Sequence, residues 1–287
     1  MKATAFAPGH ISGFFEPVYN QDLSHTGSRG AGINITLGAV SNVFIAPSTI
    51  QNFEVYINNR KSSENVTKLS LKYLLGETKV KVVVKTKLGL PLGQGFGMSA
   101  AGVLSATLAV AKMVNLPESD AIRAAHFAEV TLKTGLGDVM ASSFGGVEIR
   151  KTPGLPPWGI IEHIPGQIDI VLCVVGKKMN TRDILSDSKK INRIVDYGKL
   201  CTKKLLDKPT IENLLSLSLE FTKKTGLATE KVMKAIDAAN KYGQASMCML
   251  GNSVFAIGKT NELCKTLSSF GKIYICNVDR SGARLIG

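Results

Sequence analysis

The stretch that most constrains this chain is Leu90 to Ala101, L-P-L-G-Q-G-F-G-M-S-A-A, in which Gly93, Gly95 and Gly97 alternate and lead into Ser99. Upstream, Val80 to Lys85 is a β-branched run that predicts a strand. Downstream, Ser99 to Val114 is rich in Ala and Leu without proline and predicts a buried helix. Strand, glycine loop and helix N-terminus follow one another. Glycines let the backbone approach a ligand closely, and a helix start offers unpaired N–H groups and the positive end of its dipole. That combination favours a phosphate group, although a glycine-rich turn kept for packing alone fits the three glycines equally well.

Composition narrows the class. With 287 residues, 44% hydrophobic and 20% charged, the chain can bury the core of one large or two modest domains. No apolar run reaches the length of a membrane span, and the N-terminus lacks the long apolar core of a signal peptide. The expectation is therefore a cytoplasmic protein with no membrane partner. Five dispersed cysteines without C-x-x-C spacing suit reduced thiols rather than a zinc site. The net charge of +13 admits either nucleic acid or small anions as partners. The lysines spread over several predicted helices and few aromatics are interleaved with them, so no nucleic-acid partner is expected.

Along the chain, residues 3 to 7, Ile33 to Leu37, Asn42 to Ala46 and Phe53 to Asn58 predict strands, and Asn65 to Leu75 a helix. Asp22 to Gly32 is polar and glycine-rich. It reads as a surface loop, or as a loop whose Ser28 and Arg29 meet a carboxylate, because a guanidinium grips planar anions with two hydrogen bonds. A helix from about Glu118 to Thr134 is expected to stop at Gly135. Pro153 to Pro157 is the expected domain boundary, giving domains 1–152 and 153–287. Beyond it come a strand at Ile168 to Val175, a short segment at 181–185, helices at Ser188 to Leu206, Thr210 to Thr225 and Thr229 to Tyr242, and a strand-turn-strand at Ala245 to Ile257. A helix at Asn261 to Phe270 and a last strand at Lys272 to Asn277 complete an α+β second half.

P-x-G-x-G-x-G-x-S-A-A at Pro91 to Ala101 resembles the ATP-binding motif of the GHMP kinases. Phe96 stands where Leu is usual, and Met98 where a first Ser is usual. Three more segments resemble motifs of that family, in its order. Ala7-Pro8-Gly9 is similar to the segment near the phosphoryl acceptor, with His10 replacing the usual basic residue. Thr134 to Gly146 is similar to the segment whose Asp faces the acceptor hydroxyl. Ala245 to Ile257 is similar to the motif beside the ATP loop, its glycines reduced to Gly251-Asn252-Ser253.

The resemblance implies a two-domain α+β fold with a left-handed β-α-β unit in the N-terminal half and a ferredoxin-like C-terminal half. It implies ATP held by Pro91, Gly93, Gly95, Gly97, Met98, Ser99 and Ala100, with Mg²⁺ on Ser99 and Glu129. The apolar neighbours of Glu129 favour burial, and a buried carboxylate needs a partner such as a metal ion. Asp138 is the implied catalytic group. His10, Ser28 and Arg29 are the implied substrate contacts, with His10 alternatively a polar residue at a strand end. Within the family, A-P-G-H-I-S-G-F-F followed by G-S-R-G-A-G looks like the archaeal pantoate kinases of coenzyme A synthesis. The partners implied are pantoate and ATP, and a homodimer is compatible with them. Another small-molecule kinase of the family (homoserine, shikimate or mevalonate type) and a non-catalytic RNA-binding scaffold are the alternatives.

Overall fold

The computed structural model describes residues 1–63, 65–179 and 188–286; the expected segment at 181–185 lies outside them. A first sheet of eight strands is built on two long ones, β1 (Lys2–Val18) and β2 (Gly27–Pro47), paired antiparallel along their length. Around them lie β3 (Asn52–Ile57), β4 (Arg60–Lys61), β5 (Val80–Leu88), β6 (Val147–Thr152), β7 (Ile160–Ile164) and, at the far end of the chain, β12 (Arg284–Leu285). The main path runs β12-β1-β2-β5-β3-β4, and β6 pairs with both β2 and β7. The pairing of β3 with β5 is parallel and α1 (Asn65–Leu75) connects them, which makes a β-α-β unit.

The expected loop at Asp22 to Gly32 is shorter than the sequence suggests. Residues from Gly27 onward belong to β2, where Ser28 pairs with Pro17 and Arg29 with Glu16. The glycines there serve close packing: a Cβ on Gly32 would stand 2.3 Å from Nε2 of His10. The separate strands expected at residues 3–7, 33–37 and 42–46 likewise merge into β1 and β2, bent by register shifts at Pro8/Gly9 and Ser12/Phe14.

Helix α2 (Met98–Met113) lies against β1, β2, α1 and α3 (Glu118–Leu132), buried on nearly every side by its small residues. Helix α3 ends two residues earlier than Gly135 suggests, at Lys133, which adopts the left-handed conformation at φ 55°. Gly135 answers a different need, since a Cβ there would fall 2.2 Å from Oε2 of Glu129. A short helix, α4 (Asp138–Phe144), follows.

The second sheet has the order β11-β8-β10-β9, all antiparallel, formed by β8 (Asp169–Val174), β9 (Gly243–Met247), β10 (Ser253–Gly258) and β11 (Lys272–Asn277). In chain order this is strand, helices, two strands, helix, strand, with the spatial order of a ferredoxin-like half. Its helices are α5 (Ser188–Asp207), α6 (Ile211–Thr225), α7 (Glu230–Ala239) and α8 (Thr260–Leu267). Thr210 and Thr229 cap α6 and α7 by accepting from Asn213 and Val232 N–H.

The first sheet takes β7 and β12 from beyond residue 153, and β1 packs on α5 and α6. Phe221 of α6, fully buried, meets Phe14 and Phe15 of β1 at ring-centroid distances of 6.4 and 6.0 Å. All five cysteines are free thiols. Among the described residues no helix is long and apolar enough to cross a membrane. Because Phe221 fills the contact between α6 and β1, Phe221→Ala is expected to lower the unfolding free energy by about 3–5 kcal/mol in urea titration, the usual range for emptying such a site.

Candidate active site

An open cleft lies between the glycine loop, the start of α2, the end of α3 and the start of α4. His10, Ser28, Gly93, Gly95, Gly97, Met98, Ser99, Ala100, Glu129 and Asp138 all line it. Pro91 and Arg29 are not among its lining residues. The Arg29 guanidinium instead lies 3.6 Å from the carboxylate of Glu16, its partner across the strand pair.

Local sequence explains how each wall forms. Gly93, Gly95 and Gly97 have φ of 71°, 75° and 62°, a conformation that other residues adopt at a cost of roughly 1–2 kcal/mol each. Gly97 caps α2, leaving the helix's first N–H groups toward the cleft. The buried Phe96 anchors the loop, and its carbonyl accepts from His10 N–H at 3.0 Å. Ser99 Oγ donates to Oε1 of Glu129 at 3.0 Å, across from α2 to α3. Glu129 is 2% exposed.

No group of three or more metal-ligating His, Cys, Asp or Glu side chains exists among the described residues. The Ser99 hydroxyl beside the buried Glu129 carboxylate is one pair of oxygens that this cleft offers a cation. That set is too sparse for a protein-only cage, yet it suits Mg²⁺, which commonly takes one or two protein oxygens and completes its shell with phosphates and water.

On the opposite wall His10 is wholly enclosed and both ring nitrogens face carboxylates. Nδ1 lies 2.6 Å from Oδ1 of Asp138, and Nε2 lies 2.9 Å from Oε1 of Glu148. Arg150 Nη1 donates to that same Glu148 oxygen. Nη1 and Nε2 stand 3.3 Å apart because both donate to one acceptor, so the pair is a shared oxygen rather than a hydrogen bond between two nitrogens. With a proton on each ring nitrogen, the row Asp138, His10, Glu148, Arg150 balances two negative charges with two positive ones.

Burial works to lower the pKa of His10, but the hydrogen bonds and charges of Asp138 and Glu148 outweigh it and the pKa is raised. Burial likewise works to raise that of Asp138, but His10 and the Arg150 charge prevail and hold it below the usual carboxylate value. The Asp138 side chain remains one-third exposed, open to the cleft, whereas His10 and Glu148 are sealed.

Sequence reasoning missed Glu148 and Arg150. They sit two apart on β6, so both side chains point to the same face of the sheet. They are 0% and 2% exposed. Two ionisable residues alternating with Val147 and Ile149 just after Gly145-Gly146 were the available signal, hidden because a charge on a short strand normally faces water. Arg150 keeps Nε without a hydrogen-bond partner although it is enclosed. A Cβ on Gly137 would come 2.2 Å from Oγ of Ser28 and 3.0 Å from that Nε, so hydroxyl, guanidinium and Gly137 converge.

A family model described as GHMP kinases N terminal domain matches residues 64–146. The chain is 37% identical over 279 residues to a pantoate kinase of Methanocaldococcus jannaschii, covering 95% of this chain and 99% of that one. It is 34% identical over 291 residues to a pantoate kinase of Methanospirillum hungatei, covering 99% and 96% respectively. Among solved structures, one titled as a phosphotransferase related to the CoA biosynthesis pathway superposes with a TM-score of 0.90 at 28% identity, covering 100% of this chain and 99% of that one.

The buried ion row has a consequence for stability. A raised folded-state pKa for His10 means its contribution is complete below the ordinary value of 6.5 and is lost as pH rises through the folded-state value. The depressed pKa of Asp138 acts in the other window, present above 3.8 and lost as pH falls through the lower folded value. Urea midpoints measured from pH 5 to 10 are expected to decline on the alkaline side in the native chain, with that His10-dependent decline absent in His10→Gln.

Proposed function

This chain belongs to the GHMP kinase family, and on that premise we propose that it transfers the γ-phosphoryl group of ATP to (R)-pantoate, giving ADP and (R)-4-phosphopantoate. Two observations support the reading together: near-full-length likeness to pantoate kinases, and an ionised Asp138 that opens onto the same cleft as the phosphate-binding loop. Phosphoryl transfer of this kind depends mainly on alignment and charge neutralisation.

Gly93, Gly95, Gly97 and the backbone N–H groups at the start of α2 would cradle the triphosphate. Ser99 and Glu129 would hold Mg²⁺, which supplies neutralising charge to the phosphate oxygens. The depressed pKa of Asp138 makes it a weak early base for an alcohol. It would instead orient the acceptor hydroxyl and take its proton late, as the bond to phosphorus forms. His10, committed on both sides to carboxylates, would act on the substrate only through Asp138.

The carboxylate of pantoate would meet Ser28, with the Arg150 guanidinium, which does not itself line the cleft, enclosed behind it as a source of positive charge. Arg150 has an enclosed N–H without a hydrogen-bond acceptor, and an enclosed donor of that kind is costly unless a ligand fills the need. Arg29, paired with Glu16 at the sheet surface, has a weaker claim on this role than the sequence gives it.

ADP release from Mg·ATP, followed across pantoate, pantothenate, homoserine, shikimate and mevalonate, tests the proposal. Turnover is expected with pantoate alone; turnover with another acid and not with pantoate would overturn the substrate while keeping the kinase. Asp138→Asn is expected to lower kcat at least about a hundredfold while ATP affinity by calorimetry stays within about twofold. Unchanged turnover in that variant would remove Asp138 from the reaction.

A further inference from the structure

We propose that Gln94, the side chain between the first two glycines of the phosphate loop, is a positioning residue that sets the affinity for ATP from the second sheet. The inference rests on the reading of Gly93 to Gly97 as the triphosphate cradle. It adds a part of the molecule that the cradle motif does not contain: the turn between β9 and β10.

The loop alternates. Its glycines and Phe96 line the cleft and Gln94 does not, and the two intervening residues, Gln94 at 5% and Phe96 at 1% exposure, are tied to different sheets. Phe96 ties the loop to β1 through the His10 N–H. Gln94 ties it to the other half. Its Nε2 donates to the carbonyl of Gly176 at 3.0 Å, just past β8, and its Oε1 accepts from the hydroxyl of Ser253, the first residue of β10, at 3.0 Å.

Backbone contacts reinforce the tie. Met179 N–H donates to the carbonyl of Gly93 at 2.9 Å, and a Cβ on Gly251 would stand 2.0 Å from the carbonyl carbon of Gln94. The turn is itself fixed to the end of β8, because Val175 and Gly176 N–H both donate to the carbonyl of Asn252.

The chemistry needs such a tie. Three left-handed glycines make a loop that is free to move in the absence of anchors, and a phosphate held by backbone N–H groups binds tightly only where those groups are already in place. The sequence Gly251-Asn252-Ser253 thereby acquires a use. The glycine lets the turn touch the loop, and the serine supplies a hydroxyl that meets a buried amide, completing its hydrogen bonding. Ser253 touches no substrate in this account; it acts through Gln94.

Steady-state kinetics of Gln94→Ala, Ser253→Ala and the double variant, with thermal midpoints measured alongside, test the pair. Gln94→Ala is expected to raise KM for ATP about fivefold to tenfold, the worth of one to two buried hydrogen bonds. KM for the acceptor acid should stay within about twofold, because the anchor acts on the loop alone. Ser253→Ala is expected to raise KM for ATP by a smaller factor, and the double variant to match Gln94→Ala rather than multiply the two effects.

A purely structural role would lower the midpoint and the active fraction while leaving KM for ATP unmoved, and that result overturns the proposal, as does multiplicative behaviour in the double variant. Should Gln94→Ala not fold, Ser253→Ala alone decides, since it removes a single hydroxyl. A native chain that shows no turnover with ATP would instead remove the cradle reading itself. A native chain that turns over, with KM for ATP unchanged in both single variants, removes only the role of Gln94.

Discussion

The His10 ring sealed between two carboxylates is the interaction on which the rest of this candidate site depends. His10 spans from Asp138 on α4 to Glu148 on β6, and Arg150 closes the row from behind. Left without partners, any one of these charges would be costly at such depth, and together they sum to zero. The arrangement fixes where α4 begins, because its first residue is one end of the row. It also holds the Asp138 carboxyl below its ordinary pKa and fixes its direction toward the cleft, an orientation that a freely rotating exposed aspartate would not keep. A long-strand framework follows from the same need: His10 is held between β2, the glycine loop and β6, and β1 carries it there.

The cleft has two mechanically different walls. One is the charge row, rigid because every member is buried or paired. The other is a loop of left-handed glycines, kept in shape by the Phe96 carbonyl and the Gln94 side chain between them. Phe96 fastens it to the first sheet and Gln94 to the second. ATP would therefore lie where the two sheets are tied, with the acceptor acid under Asp138 and Ser28 on the first sheet's side.

The parts of this design that were legible in the sequence are those in which residue type forces local geometry. Glycine at every second position, followed by a small-residue helix, fixed the reading of Pro91 to Val114, and the helix begins one residue from where the sequence predicts it. The strand expected at Lys272 to Asn277 agrees residue for residue. What was hidden depended on distant contacts. The glycines of residues 27–32 look like loop residues, yet they are strand residues that make room for His10 and the neighbouring backbone. Gly135 looks like a helix cap and instead clears space for Glu129. Arg29 carries the motif's visible charge, but Arg150, some 120 residues later in sequence and inside a strand, is the guanidinium with an unmet donor. Nothing local in the sequence distinguishes a charge that faces water from one that faces a buried partner.

The protonation state of His10 tests this account most directly. With only four histidines in the chain, ¹⁵N-labelled imidazole spectra can be assigned by comparison with His10→Gln. The account predicts that both ring nitrogens of His10 keep their protons to a higher pH than an unperturbed histidine does. A His10 that titrates near 6.5 into a neutral ring would contradict the charge row, and with it the view that Asp138 works as a held, ionised group.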